Sequence, residues 1–311
     1  MAREERSHDH QTGHDASAAL ATGLSVLVAE SHGITTLHEV YSHDPIAIKG
    51  FENAISTLLK TISLNGSIIV SGVGKSGLIG RKIVATFNSL GLRSFWLHPT
   101  EALHGDLGMI GPRDTLLLIT FSGSTAELLS LVCHLPPTAP LILMSSARPD
   151  QGAPISSIPL FAARVDAPEG SNILLQTPIP VSEKTLFGIS APTVSTTVTL
   201  ALGDALAMAA AHRLHEHCDG VKEVFHKYHP GGAIGRAAVS ELQVETSPGE
   251  ISPSDASMAS PHASSLEGST IGDDSDTALE TLLKASEPSY ARSEGALQGS
   301  SPATRFLTLT S

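Results

Sequence analysis

Aromatic side chains are scarce in this sequence, at 4% of residues with a single Trp. Packing must therefore fall to aliphatic, β-branched and small residues, which suits a sheet covered by helices on both faces. Cysteine is nearly absent: Cys133 and Cys218 are the only two, and no CxxC exists. A disulfide framework is excluded beyond one bridge, and both residues read as reduced thiols of a cytoplasmic protein. Positive charge is in deficit, with 19 Lys and Arg against 31 Asp and Glu for a net −12. That balance argues against nucleic acid or an anionic membrane as the main partner. The N-terminal MAREERSHDHQTGHD has no apolar stretch, so no signal peptide is expected. No apolar run reads as long enough to cross a membrane.

The charge is unevenly placed. Residues 241–311 hold 11 acidic and 3 basic residues, or −8 of the total, together with 15 serines. Such a segment buries too little apolar surface to offset its chain entropy, and the reading is a disordered Ser-rich acidic tail, with a transient helix over Thr277–Lys284. Residues 1–15 read as a second disordered tail. Its His8, His10 and His14 have metal-ligand chemistry, but a flexible polar segment is the simpler account. Residues 16–44 form an N-terminal helical segment, with a helix expected over Ala16–Glu30, and a further helix is expected over Pro45–Leu64. The main domain spans 45–240.

Within it, short apolar runs alternate with helical stretches. Strands are expected at 66–71, 94–97, 115–120, 140–145 and, more weakly, 172–175. Helices are expected over Leu78–Leu90 and Ala126–Leu135, with a short connection near Glu101–Gly108 and a long apolar helix over Thr193–Leu214. Strand–helix alternation specifies a parallel sheet. The fold class is α/β: a five-stranded parallel, flavodoxin-like three-layer sandwich of strand order 2-1-3-4-5. In that order the crevice lies between the first and third strands.

Four stretches carry chemistry. Ser71-Gly-Val-Gly-Lys-Ser-Gly77 follows the first strand and opens a helix, where free N–H groups and the helix dipole make an anion site. Gly74 lets the backbone approach a ligand, Ser76 adds a hydroxyl donor and Lys75 a mobile cation. A Walker A loop would need glycine where Ile69 stands, so ATP is not indicated. Gly72, Gly74 and Gly77 match the dinucleotide fingerprint, but no acid lies between Lys82 and Thr100 to hold a ribose. Thr120-Phe-Ser-Gly-Ser-Thr-Ala-Glu127 follows the third strand. Its Ser122, Gly123, Ser124 and Thr125 read as a phosphate cradle, against the plainer role of helix capping, which needs one hydroxyl. Both loops would face the crevice and bind one anion between them. Leu97-His-Pro-Thr-Glu-Ala-Leu-His-Gly-Asp106 places His98, Glu101, His104 and Asp106 together; alone it reads as a structural histidine-rich loop. In Tyr228-His-Pro-Gly-Gly-Ala-Ile-Gly235, a stiff turn fixes His229.

Together these stretches resemble the SIS (sugar isomerase) family, in its arabinose 5-phosphate isomerase branch. GVGKSGLIGRK (72–82), HPTEALHGDLGM (98–109), SGSTAE (122–127), APTVSTT (191–197), LGDALA (202–207) and HPGGAIG (229–235) occur in that family's order. Each motif alone is weak, and six in order are specific. The resemblance implies interconversion of ribulose 5-phosphate and arabinose 5-phosphate through an enediol. It implies catalytic roles for Lys75, Glu127, Glu183 and His229, and substrate binding by Ser76, His104 and the Ser122–Thr125 loop. It also implies that His98 stands where an inhibitory zinc can bind. No cofactor is expected, and the partner is a small-molecule sugar phosphate. A homo-oligomer, dimer or tetramer, is implied, with the Thr193–Leu214 helix as candidate interface and His229 lent by a neighbour. The residue types agree: proton transfer between C1 and C2 needs a carboxylate or imidazole base and a cation for the enediolate. Glu127 as a first-turn helix acid and Glu183 as a surface residue are the plainer alternatives. Three features depart from the family: the acidic tail stands where CBS domains usually follow, the 146–182 loop is long, with Asp166-Ala-Pro-Glu-Gly-Ser inserted, and the spacing from Glu183 to Ala191 is one residue longer than in its bacterial members. The chief rival is a SIS-type regulatory protein that binds a sugar phosphate without turnover.

Overall fold

The computed structural model describes residues 4–149, 154–216 and 220–231, with side chains from residue 17 onward. The expectations for Thr277–Lys284, the acidic tail, Cys218 and Gly232–Gly235 lie outside the described residues.

The chain opens with two helices, α1 (Glu4–His43) and α2 (Pro45–Ser63). Asp44 separates them and caps α2, its Oδ1 accepting from Ile46 N at 2.8 Å, while Pro45 supplies a preset first-turn φ. Helix α1 begins at Glu4, within the segment expected to be disordered, and runs past Glu30 to His43. Its first residues, EERSHDHQTGHD, include helix formers in Glu4, Glu5, Arg6 and Gln11, and no proline interrupts them.

Then strand and helix alternate: β1 (Ile68–Gly72), α3 (Lys75–Ser89), β2 (Ser94–Trp96), α4 (Pro99–Leu103), β3 (Thr115–Ile119), α5 (Ala126–Val132), β4 (Leu141–Ser145), α6 (Pro159–Ala162) and β5 (Asn172–Gln176). Three more helices close the described chain: α7 (Glu183–Phe187), α8 (Val194–Leu214) and α9 (Gly220–Tyr228). The sheet is wholly parallel with order β2-β1-β3-β4-β5, the flavodoxin-like arrangement expected. β1, β3 and β4 are buried along their whole length, which is why they read as unbroken apolar runs.

Alternation along each strand builds two cores. Ile68, Val70, Leu117, Ile119, Ile142 and Met144 face α2, α3 and α8 through Leu58, Phe87, Val198 and Leu206. Ile69, Leu116, Leu118 and Leu143 face the other way, onto Ala102 of α4, Leu128 and Leu131 of α5, and Phe161 of α6. Helix α8 is 21 residues long and passes the length and composition of a membrane span, which corrects the reading that no run reaches that length. Its buried Val198, Leu202, Leu206 and Ala210 pack it into the protein's own core. It lies close enough to α3 that a Cβ on Gly203 would overlap the Ile83 side chain.

The long 146–182 loop contains α6, which the sequence reading did not expect. Arg164 ties it down: only 7% exposed, it donates to Ala139 O (2.6 Å), Pro137 O (3.1 Å), Pro136 O (3.3 Å) and Asn172 Oδ1 (2.6 Å). Burial pushes its guanidinium pKa below the usual value.

Candidate active site

The C-terminal ends of β1 and β3 are neighbours, with Gly72 opposite Ile119. The chain leaves β1 through Gly72-Val73-Gly74. Gly74 takes φ 59°, ψ −126° and serves as N-cap of α3 without a side-chain cap bond. That conformation is unfavourable for a residue with a Cβ, and it leaves the first N–H groups of the 15-residue α3 unclaimed by any cap side chain. Lys75 and Ser76 occupy the first two helical positions.

A cavity of about 370 Å³ opens here, at the carboxyl ends of the strands and between α3 and α8. One wall is Val73, Lys75, Ser76 and Ile79. Ile119, Thr120 and Phe121 come from β3 and the residues after it. Ser182, Glu183, Lys184, Ser190, Ser195, Thr196 and Thr199 form the opposite wall.

Glu183 is the most tightly held group in it. At 7% exposed, its Oε1 accepts from Thr193 N (3.0 Å), Ser195 N (3.0 Å) and Ser195 Oγ (2.6 Å). These donors belong to the start of α8, so Glu183 caps that helix across the loop, as a carboxylate at a positive helix end should. Glu183 is therefore not the surface residue of the plainer alternative. Locally it opens α7, whose N-cap Ser182 accepts from Thr185 N at 3.2 Å. Gly188, at φ 74°, ends α7 and turns the chain toward α8. Among the described residues, neither Lys75 nor Lys184 forms an ion pair, so the cavity carries two uncompensated ammonium groups beside one carboxylate.

The structure thus brings together Lys75, Ser76 and Glu183 of the expected site, with Gly74 at the turn that forms its rim. Ser122, Gly123, Ser124 and Thr125 follow Phe121 directly but are not in the lining. Their hydroxyls are engaged with one another: Ser124 Oγ donates to Ser122 Oγ at 3.1 Å, and Thr125 Oγ1 meets Thr120 Oγ1 at 2.6 Å. Thr125 is the N-cap of α5 yet makes no side-chain cap bond. Gly123 must be glycine, since φ is 66° and a Cβ would lie 2.9 Å from Ala147 Cβ and Ile158 Cγ2.

Three expected residues lie elsewhere. Glu127 is exposed on the first turn of α5. His104 is the exposed C-cap residue of α4. His229 is stacked on Phe225 at 4.0 Å between ring centroids; its Nδ1 contacts Phe225 O at 2.7 Å and its Nε2 contacts Ser89 Oγ at 3.4 Å. Ser89 ends α3, while Lys75 begins it and Ile79 is the last α3 residue in the lining, so about 15 Å of helix at 1.5 Å per residue separates the Ser89 end, with His229, from the cavity. His98 is half-buried and caps α4, its Nδ1 accepting from Thr100 N at 3.3 Å. Among the described residues no three His, Cys, Asp or Glu side chains gather as a metal site. Among the described residues of one copy, His98 therefore lacks the further ligands that a protein zinc site needs.

Lys184, Ser195, Thr196 and Thr199 were missed as site residues. Ser195 and Thr196 were visible inside the APTVSTT motif (191–197), with Thr199 two positions beyond it, but carried no assigned role; Lys184 had no signal.

Comparison with known proteins gives this geometry its context. The SIS domain model matches residues 61–135, the stretch that holds β1, α3 and the loop after β3. The chain is similar to arabinose 5-phosphate isomerase KdsD of Yersinia pestis, 37% identical over 228 residues, covering 73% of this chain and 60% of the relative. It is similar to arabinose 5-phosphate isomerase KpsF of Escherichia coli O6:H1, 35% identical over 215 residues, covering 67% and 60%. The chain thus spans between about half and 60% of the length of the curated relatives it matches. A solved structure of an E. coli CFT073 protein in complex with arabinose 5-phosphate is 32% identical, with a TM-score of 0.52, covering 67% of this chain and 97% of that one. With that sheet, that cavity and those relatives, the chain belongs to the SIS domain family.

Proposed function

We propose that this chain is an aldose–ketose isomerase of a sugar phosphate, interconverting ribulose 5-phosphate and arabinose 5-phosphate through an enediol. One observation carries the reading: a single cavity has an anion-binding helix start with Lys75 and Ser76 on one wall and a buried, hydrogen-bonded carboxylate on the other. The phosphoryl group docks on the open N–H groups of α3 and the Ser76 hydroxyl. The exposed hydroxyls of Ser122 and Ser124, on the loop leaving β3, supply further donors at the rim. Glu183 takes a proton from C1 of the ketose. The electron pair forms the C1–C2 double bond, and the C2 carbonyl oxygen becomes an enediolate stabilised by an ammonium. The O1 proton passes to O2, which moves the negative charge to O1; the carbon-derived proton then returns from Glu183 to C2 as the C1 carbonyl forms, giving the aldose. Of the two glutamates considered as base, Glu183 is favoured because it lines the cavity and Glu127 does not.

His229 completes the site, as shuttle or ring-opener, only if a second copy supplies it. Helix α1 offers the contact. Leu20, Leu24, Leu27 and Val28 are 64, 52, 61 and 68% exposed, and no charged residue lies between Ser17 and Ala29. Such a strip needs a cover. The reading is thus a homo-oligomer, working in the cytoplasm, with the sugar phosphate as its small-molecule partner and without nucleic acid or membrane.

The second reading, a regulatory protein that binds without turnover, is favoured by the separation of His229 and Glu127 from the cavity. Incubation with ribulose 5-phosphate in D2O, with and without chelator, distinguishes the two. Deuterium at C1 of recovered ketose and at C2 of arabinose 5-phosphate supports the isomerase. Saturable binding with no exchange supports the regulator and refutes the first reading.

A further inference from the structure

We propose that Ser195 is the positioning residue for the Glu183 carboxylate, holding Oε1 so that Oε2 alone faces the substrate. The inference rests on the isomerase reading above. Two of the three bonds on Oε1 come from Ser195, through its amide (3.0 Å) and its hydroxyl (2.6 Å), and the third from Thr193 N. Oε2 makes no hydrogen bond among the described residues, and Glu183 lines the cavity.

The geometry is one of constraint. A glutamate side chain has three rotatable bonds, and a base must lie within hydrogen-bond reach of the carbon-bound proton it removes. Anchoring one oxygen to the first turn of a 21-residue helix removes that freedom. Ser195 is itself buried, and its carbonyl accepts from Thr199 Oγ1 at 2.7 Å. The anchor thus belongs to the core rather than to the loop. The two amides fix the height of Oε1 above the helix end. The hydroxyl, the shortest of the three contacts, fixes its rotation. When the C1–H bond breaks, its proton goes to Oε2 and its electron pair into the enediolate, while Oε1 stays bound to its donors.

The test compares Ser195→Ala, Ser195→Cys and Ser195→Thr with the unaltered full chain, using steady-state isomerisation of ribulose 5-phosphate and thermal unfolding. Removing the hydroxyl in Ser195→Ala is expected to lower kcat about 10- to 100-fold, with KM changed less than about twofold, as expected when a reacting group is displaced. Ser195→Thr keeps the donor and retains most of kcat. Ser195→Cys, nearly isosteric but a weaker donor, falls between them and stands in for Ala should that variant fail to fold. Unchanged kcat in both Ala and Cys overturns the proposal. So does a rise in KM alone, or a loss in Thr as deep as in Ala when all remain folded. Glu183→Gln, measured alongside, separates the layers. Full activity in Glu183→Gln overturns the base assignment and this inference with it. An inactive Glu183→Gln beside a fully active Ser195→Ala overturns only the role of Ser195.

Discussion

Replacing Glu183 with alanine should cost stability as well as activity, and the two losses can be separated. The carboxylate collects three donors at the start of α8, two of them backbone N–H groups with no helical partner. Loss of a helix cap costs about 1 kcal/mol, and each buried donor left unpaired costs about 1–3 kcal/mol. The cavity admits water to part of the gap, so a total of about 3–5 kcal/mol follows for Glu183→Ala. Glutamine keeps an acceptor oxygen at the same reach and loses only the attraction of a negative charge to the helix end, about 1 kcal/mol. Urea unfolding of both variants measures the difference. For a domain of this size, about 2–4 °C per kcal/mol places the alanine variant roughly 6–20 °C below the parent in Tm. Glu183→Gln should unfold within a few degrees of the parent while losing isomerase activity. An alanine variant within about 0.5 kcal/mol of the parent, well under the loss expected for a cap, would refute the capping argument.

Three further outcomes are expected. Lys75→Ala and His229→Ala should each be inactive alone, yet mixing them after dissociation should restore part of the activity, because a mixed oligomer contains some intact shared sites; no recovery refutes the lent histidine. Tyr41 donates its hydroxyl to Gln176 O at 3.1 Å, and burial raises its pKa far above the ordinary tyrosine value. The folded state therefore holds this proton more tightly than the unfolded state, and stability present below about pH 10 is lost as pH rises beyond it. In Tyr41→Phe, denaturation midpoints should fall less steeply over that alkaline range. Gly203→Ala should destabilise by about 1–3 kcal/mol because its methyl meets Ile83, and Ile83→Val in the same chain should recover part of it, as read by thermal unfolding.

Much of the fold was legible because the sheet is buried on both faces. Ile68–Gly72, Thr115–Ile119 and Leu141–Ser145 read as strands for the reason they are strands: side chains on either side meet a core. Strand order followed, and with it the place of Lys75 and Ser76. The far wall was harder. Glu183 and Ser195 are twelve positions apart with no common period, and only the Gly188 turn brings them together. Lys184 lies in a polar segment where a lysine carries no pattern at all. His229 was assigned by resemblance, which names a residue but not the subunit it serves; packing of α9 on the end of α3 carries it away from its own cavity. The reach of α1 to Glu4 was missed because polar composition alone does not separate a helix from coil.

The bare leucines of α1 bear on how the protein should be handled. If copies must meet to cover them, folding and assembly are one event, and the melting temperature will climb with protein concentration. Turnover per chain would then decline on dilution into an assay, and an activity measured at nanomolar enzyme would understate what the same chains achieve when crowded together.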